Sequence, residues 1–168
     1  MKKILVIGCS GSGKSYFSTR LSKLINIPYY HLDNFFWNPD KTHVTRDELK
    51  QRIKEEVFSQ DSYILDGLYT ATLEFRIDYA DTIFFLDMDL DLCRRSVIGR
   101  TGTKRGDLPW IETEEDTKEL LEWMEKYPKE QRPWILKVIR EHPDKTYIIF
   151  NERNQVDEYL KRIEKGGQ

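Results

Sequence analysis

Cysteine is scarce in this chain, which carries two among its 168 residues, Cys9 and Cys93. They lack the spacing of metal ligands and are too few for a disulfide framework, so neither a zinc site nor a stapled secreted fold is expected. A reducing cytoplasm is the natural compartment. Long apolar runs are missing as well: no stretch approaches the ~20 residues that a membrane-spanning helix needs, and no membrane partner is expected. Met1-Lys2-Lys3 ahead of Ile4-Leu5-Val6-Ile7 has the outline of a leader, but the apolar part is only four residues long and runs straight into glycines. It reads as a first strand. Excess positive charge is absent too. The 27 Lys and Arg stand against 29 Asp and Glu, a formal net charge of −2. Proteins that grip nucleic-acid phosphates are usually clearly basic, so the balance argues against direct nucleic-acid binding. No repeat, low-complexity tract or linker interrupts the chain, and its length suits one domain over residues 1–168.

What is present is an alternation of strand-like and helix-like segments, the pattern of an α/β fold with a parallel sheet. Ile4 to Ile7 is the first strand, and Lys14 to Ile25 a helix with Phe17, Leu21, Leu24 and Ile25 on one face. Tyr29 to Leu32 reads as a second strand ending at Asp33, followed by a loop from Asn34 to Val44 with aromatic anchors. Thr45-Arg46-Asp47-Glu48 is a capping-box pattern, and Leu49, Ile53 and Val57 continue at helical steps. Tyr63 to Leu65 and Thr82 to Leu86 are strands three and four. A helix capped by Asp89 or Asp91 runs to about Arg100, Thr146 to Phe150 is strand five, and a last helix covers Val156 to Ile163. Residues 101–142 break the alternation. A polar loop to Pro109 leads into two helical patterns, one placing Leu120, Trp123, Met124 and Tyr127 on a face, the other opening near Pro133 with Ile135, Val138 and Ile139 inward. This insertion is a candidate lid.

The segment Gly8-Cys9-Ser10-Gly11-Ser12-Gly13-Lys14-Ser15 fits G-x-x-x-x-G-K-[ST]. Glycines allow backbone conformations that turn successive N–H groups inward as an anion nest, and the following helix adds the positive end of its dipole. Lys14 supplies a point charge for the β- and γ-phosphates and Ser15 a hydroxyl for Mg²⁺. The motif follows a buried strand and opens an amphipathic helix, as its function requires. The expected ligand is a purine nucleoside triphosphate, ATP, with Mg²⁺. Cys9 occupies a free position of the motif and reads as a small filler, with a redox role as the alternative.

In doubly wound sheets ligands sit beyond the carboxyl ends of the strands. Asp66, after Ile64-Leu65, is placed to hold Mg²⁺ through water, or else to form a turn with Gly67. Asp33 is a candidate to accept a proton from an acceptor hydroxyl or to orient it, or else a strand-end turn. Arg105 and Arg132 are candidates for the lid arginines that stabilise charge on a transferring phosphoryl group. Arg76 is a candidate for an anionic group on the acceptor. Asp87, Asp89 and Asp91 read as caps rather than a metal cluster.

Gly8 to Ser15, His31-Leu32-Asp33, Trp37-Asn38-Pro39, Ile64-Leu65-Asp66-Gly67, Arg76 and Gly102-Thr103-Lys104-Arg105 together resemble the topology modulation protein family, an adenylate-kinase-related branch of the P-loop kinases. The likeness runs from the first strand to about Phe150. It implies a three-layer α/β/α P-loop NTPase architecture with a five-stranded parallel sheet of order 2-3-1-4-5 and a lid after strand four. It also implies ATP with Mg²⁺, Lys14 at the phosphates, and Arg105 and Arg132 in the lid. Unlike adenylate kinases, the chain follows Gly67 with Leu68-Tyr69 rather than a Phe-Pro-Arg turn, and Leu68 stands where the branch is expected to carry asparagine. Two functions stay open at this point. One is a small-molecule kinase moving the γ-phosphoryl group to an unidentified acceptor. The other is a regulatory ATP-dependent switch or binding module that affects DNA topology indirectly.

Overall fold

Five short apolar segments become five strands: β1 (Lys3–Gly8), β2 (Tyr29–His31), β3 (Tyr63–Asp66), β4 (Thr82–Leu86) and β5 (Thr146–Phe150). The computed structural model, which describes residues 1–166, arranges them as one sheet of order β2-β3-β1-β4-β5, each neighbouring pair parallel. β1 lies in the middle because Ile4, Leu5, Val6 and Ile7 have no polar face to offer water; all four are fully buried, as a strand covered on both sides must be. The register sets Val6 beside Asp66 and Phe84, His31 beside Asp66, and Gly8 beside Leu86. Since all strands point one way, the acids predicted at strand ends and the glycine-rich loop emerge at a single edge of the sheet.

Helices surround this sheet. α1 (Lys14–Ile25) follows the loop directly and packs against α8 (Arg153–Glu164). Phe17 of α1, Phe84 of β4, Phe150 of β5 and Tyr159 of α8 form one aromatic cluster, with Phe17 and Phe84 ring centres 4.7 Å apart and Phe84 and Tyr159 edge-on at 5.3 Å. Such offset and edge-to-face pairs add to the area they bury. The segment after β2 departs from the expected loop. Asp33–Phe36 winds into one helical turn, α2, burying Phe35 and Phe36; a single turn is too short to produce a readable period. α3 (Arg46–Ile53) starts where the capping box predicts. Thr45 Oγ1 accepts the Glu48 N–H at 3.2 Å, and Glu48 Oε2 accepts the Thr45 N–H at 2.7 Å. The helix then widens into a π turn, Lys54–Phe58, which tucks Val57 and Phe58 inside.

After β3 a 3₁₀ turn (Thr70–Thr72) leads into α4 (Leu73–Asp78). Of the two possible caps of α5 (Leu90–Gly99), Asp89 does the capping, accepting the Leu92 N–H at 3.0 Å, while Asp91 receives Arg94 at 2.7 Å. The 101–142 insertion holds α6 (Glu114–Met124) and α7 (Arg132–Glu141), joined by a π turn at Tyr127–Gln131. Met124, Tyr127, Ile135 and Val138 are buried as their spacing suggests, but Trp123, expected on the same face, is 41% exposed. It borders the cleft described below rather than the core. Among the described residues no helix is long and apolar enough to cross a membrane.

Candidate functional site

A cleft of about 1310 Å³ opens at the carboxyl ends of the strands. One end is the glycine-rich loop. Gly8 has φ 150° and Gly11 φ 80°, both closed to ordinary side chains. Packing makes the same demand. A Cβ on Gly11 would lie 2.2 Å from the Cys93 carbonyl oxygen, and one on Gly8 would lie 2.5 Å from that of Leu86. The chain therefore folds tightly over α5 and β4 before turning into α1 at its cap, Gly13. Ser12 N–H is held by Cys9 O at 3.1 Å and Phe17 N–H by Gly13 O at 3.0 Å. The amides of Ser10, Gly11, Gly13, Lys14 and Ser15 find no main-chain acceptor among the described residues, and these same residues line the cleft. Amide groups with no internal partner, grouped at a helix N-terminus, make a seat for an anion.

Lys14 bends back over its own loop, donating to Gly8 O at 2.9 Å and Cys9 O at 3.0 Å. It forms no ion pair among the described residues. Burial lowers its affinity for a proton, and the Asp66 carboxylate works the other way. Of the eight motif residues, Gly8, Cys9 and Ser12 do not face the cleft. Gly8 and Cys9 supply the carbonyls that hold Lys14, Cys9 is wholly buried beside Cys93, and Ser12 is 1% exposed with its hydroxyl unpartnered. They shape the loop; Ser10, Gly11, Gly13, Lys14 and Ser15 present it.

Asp66 and Asp33 both reach the cleft. Asp66 is only 3% exposed and both its oxygens are engaged, Oδ2 by the Tyr29 hydroxyl at 2.8 Å and Oδ1 by His31 Nδ1 at 2.9 Å. Burial works against a charged His31 ring, but the hydrogen bond and charge of Asp66 prevail and raise its proton affinity. Tyr29, His31 and Asp66 thus form one hydrogen-bonded cluster between β2 and the end of β3. Asp33 starts α2, and burial together with the carboxylates of Asp107 and Asp66 pushes its carboxyl up to about 6. The charges of Lys14 and Arg105 pull in the opposite direction. Among the described residues no three His, Cys, Asp or Glu side chains gather into a metal cage.

The arginines are distributed differently from expectation. Arg105 does line the cleft, but its guanidinium is already held by Glu112 at 2.5 Å and by Asp107. Arg132 does not reach the cleft. Its Nε and Nη2 clasp Asp87 at 2.8 Å each, tying α7 to the end of β4. Arg76, expected to meet an anion, is fully buried, donating to Gly67 O at 2.9 Å and Tyr69 O at 2.8 Å. It braces the turn behind the cleft wall. The arginine that the sequence reasoning passed over is Arg100, at the end of α5. It lines the cleft, feels the charges of Asp33 and Arg105, and in turn affects Lys14. Its position just ahead of Gly102 was the only available signal, and that does not say where a long side chain points.

The wall away from the loop is aromatic. Trp37 and Trp110 meet edge to face at 5.5 Å, and Phe36 lies 4.1 Å from Tyr69. Lys41, from the loop after α2, reaches Asp116 of α6 at 2.6 and 2.8 Å, so the insertion and that loop meet across the opening. The arrangement offers an anion seat at one end, a carboxylate at the middle and flat apolar surfaces at the other end. No protein-family model matches the chain, and no curated protein matches it either.

Proposed function

We propose that the chain binds ATP with Mg²⁺ on the Gly8–Ser15 loop and transfers the γ-phosphoryl group to the hydroxyl of a small molecule lying against the aromatic wall. The observation that carries this reading is the set of cleft-facing amides without a main-chain partner, with the ammonium of Lys14 beside them held by two carbonyls and by no carboxylate among the described residues. An anion with several oxygens completes those bonds together. A kinship with the adenylate-kinase-related P-loop kinases, including the topology modulation branch, belongs to the same proposal, and the five-stranded parallel order is consistent with it.

The residues divide the work by position. Lys14 exchanges its two carbonyl partners for phosphate oxygens, and the amides of Ser10, Gly11, Gly13, Lys14 and Ser15 follow the chain of phosphates. Ser15 would hold the Mg²⁺ that arrives with the nucleotide, with Asp66 reached through water because Mg²⁺ keeps several waters and takes few protein ligands; the ion would supply neutralisation of phosphate charge. Asp33 accepts the proton of the attacking hydroxyl. Arg100 and Arg105 face the region where charge spreads over the transferring group. The segment 101–142 covers the cleft and excludes water, which would otherwise compete as acceptor. Asp33 and the aromatic wall favour transfer over a pure nucleotide switch, since a switch needs neither.

Titration calorimetry of Lys14→Ala tests the core of the proposal. A charge-assisted bond to phosphate is worth roughly 1.5–3 kcal/mol, so ATP affinity falls at least tenfold while the circular dichroism spectrum stays that of the parent. Equal affinity in parent and variant rejects the seat.

A further inference from the structure

Resting on the kinase reading, the charge of the far half of the cleft narrows the acceptor. We infer that it is an uncharged hydroxyl compound with a flat ring, of the nucleoside class, carrying no phosphate of its own. Three observations lead there. The first is size. A single small ligand fills a pocket of about 300–1,000 Å³, whereas this cleft measures about 1310 Å³, room for a nucleoside triphosphate and a second molecule.

The second is the surface on offer. Phe36, Trp37, Tyr69 and Trp110 border the far half, giving ring faces and edges against which a planar group stacks. The Trp110 indole N–H is buried with no partner among the described residues, and an unmet donor is costly to leave so.

The third is what the cations are doing. A kinase that takes a phosphorylated acceptor needs free arginines to receive its dianion. Here each basic group near the far half is spoken for. Lys41 is held by both oxygens of Asp116, Arg105 by Glu112 and Asp107, and Arg76 lies beneath the wall on two carbonyls. Arg100 faces Glu112 as an ion pair at 3.5 Å. A monophosphate entering the far half meets the carboxylates of Asp33 and Glu119, while Asp107 and Glu112 already take up the charges of Arg100 and Arg105, so no cleft-lining arginine of this half lacks a carboxylate partner. An uncharged molecule meets no such barrier. In the transfer, the acceptor O–H gives its proton to Asp33 and its oxygen forms the new bond to the γ-phosphorus. The bond from that phosphorus to the β–γ bridging oxygen breaks, and ADP leaves with that electron pair.

The test measures ADP release and the mass gain of the acceptor with MgATP and three sets of compounds: nucleosides, the matching nucleoside 5′-monophosphates, and hexoses. Nucleosides are expected to show kcat/KM at least 100-fold above their monophosphates and above hexoses. Monophosphates or hexoses as the better substrates overturn the inference while leaving the kinase reading in place. ATP binding by calorimetry with no release in any set overturns the transfer reading itself, and the acceptor assignment with it. Glu112→Gln in combination with Asp107→Asn frees Arg105 and is expected to raise relative activity on monophosphates at least tenfold. A folded double variant with unaltered selectivity contradicts the charge argument.

Discussion

A carboxyl that loses its proton at about pH 6 changes charge in the range where enzymes work, and Asp33 is such a group. Its folded-state value lies above the ordinary one near 3.8. Between those values the folded chain binds more protons than the unfolded chain, so Asp33 costs stability as pH rises from about 4 to about 6 and leaves it constant above. In the proposed transfer the dependence runs the other way, since only the ionised form accepts a proton. The pH profile of kcat/KM, which reports the free enzyme, is therefore expected to rise with an apparent pKa near 6. Asp33→Asn is expected to remove that limb and lower the rate by roughly 10²–10⁴-fold. A profile in Asp33→Asn that matches the parent assigns the proton to another group. At this scale the sequence was informative where neighbours in the chain decide the outcome. Lys14 and Ser15 sit on the seat because the intervening glycines leave them nowhere else to go. It was silent where the partner is remote. Arg132 answers to Asp87, 45 positions away, and Arg76 to carbonyls that exist only once the turn after β3 has formed.

Among the secondary elements, α6 has a double attachment. Asp116 closes its capping box with Thr113, accepting the Thr113 N–H at 2.8 Å, and also receives Lys41 from across the cleft. The Lys41 hydrogen bond, helped by the Thr113 amide, pulls Asp116 down to about 2. A depressed carboxylate contributes stability above its unfolded value, near 3.8, and loses it as pH falls toward 2. Lys41→Ala should move the Asp116 titration upward by nuclear magnetic resonance and speed amide exchange across residues 101–124. Global stability should change by less than about 1 kcal/mol, because the pair is partly exposed. Unchanged exchange in that segment would mean the bridge holds nothing shut. The Thr45–Glu48 box was readable from the pattern, and Thr113-Glu114-Glu115-Asp116 carries the same signal for the start of α6. The π turns at Lys54–Phe58 and Tyr127–Gln131 carried none, because a widened turn keeps almost the helical period while shifting which side chains go inward.

For the molecule as a whole, the proposed nucleotide binding would be linked to folding. A ligand at 100 times its Kd adds about 2.7 kcal/mol to the folded state, and in a chain this long each kcal/mol moves Tm by roughly 2–4 °C. MgATP in that excess is thus expected to raise Tm by about 5–10 °C in differential scanning calorimetry, and a flat response would contradict binding to the native state. The sheet order was anticipated from the family likeness, and the strands themselves from short apolar runs bounded by turns. How the insertion lies over the cleft was not, since nothing local in residues 101–142 says which wall it will touch. The uniform direction of the five strands has a practical consequence. Everything chemical collects at one edge of the sheet, drawn from segments as distant as Ser10 and Arg153, so no excised fragment would carry a working copy. The turns entering β3 and β5, at Ser59 to Ser62 and Pro143 to Lys145, lie at the opposite edge. A fluorophore or affinity handle grafted there would report on the molecule from behind.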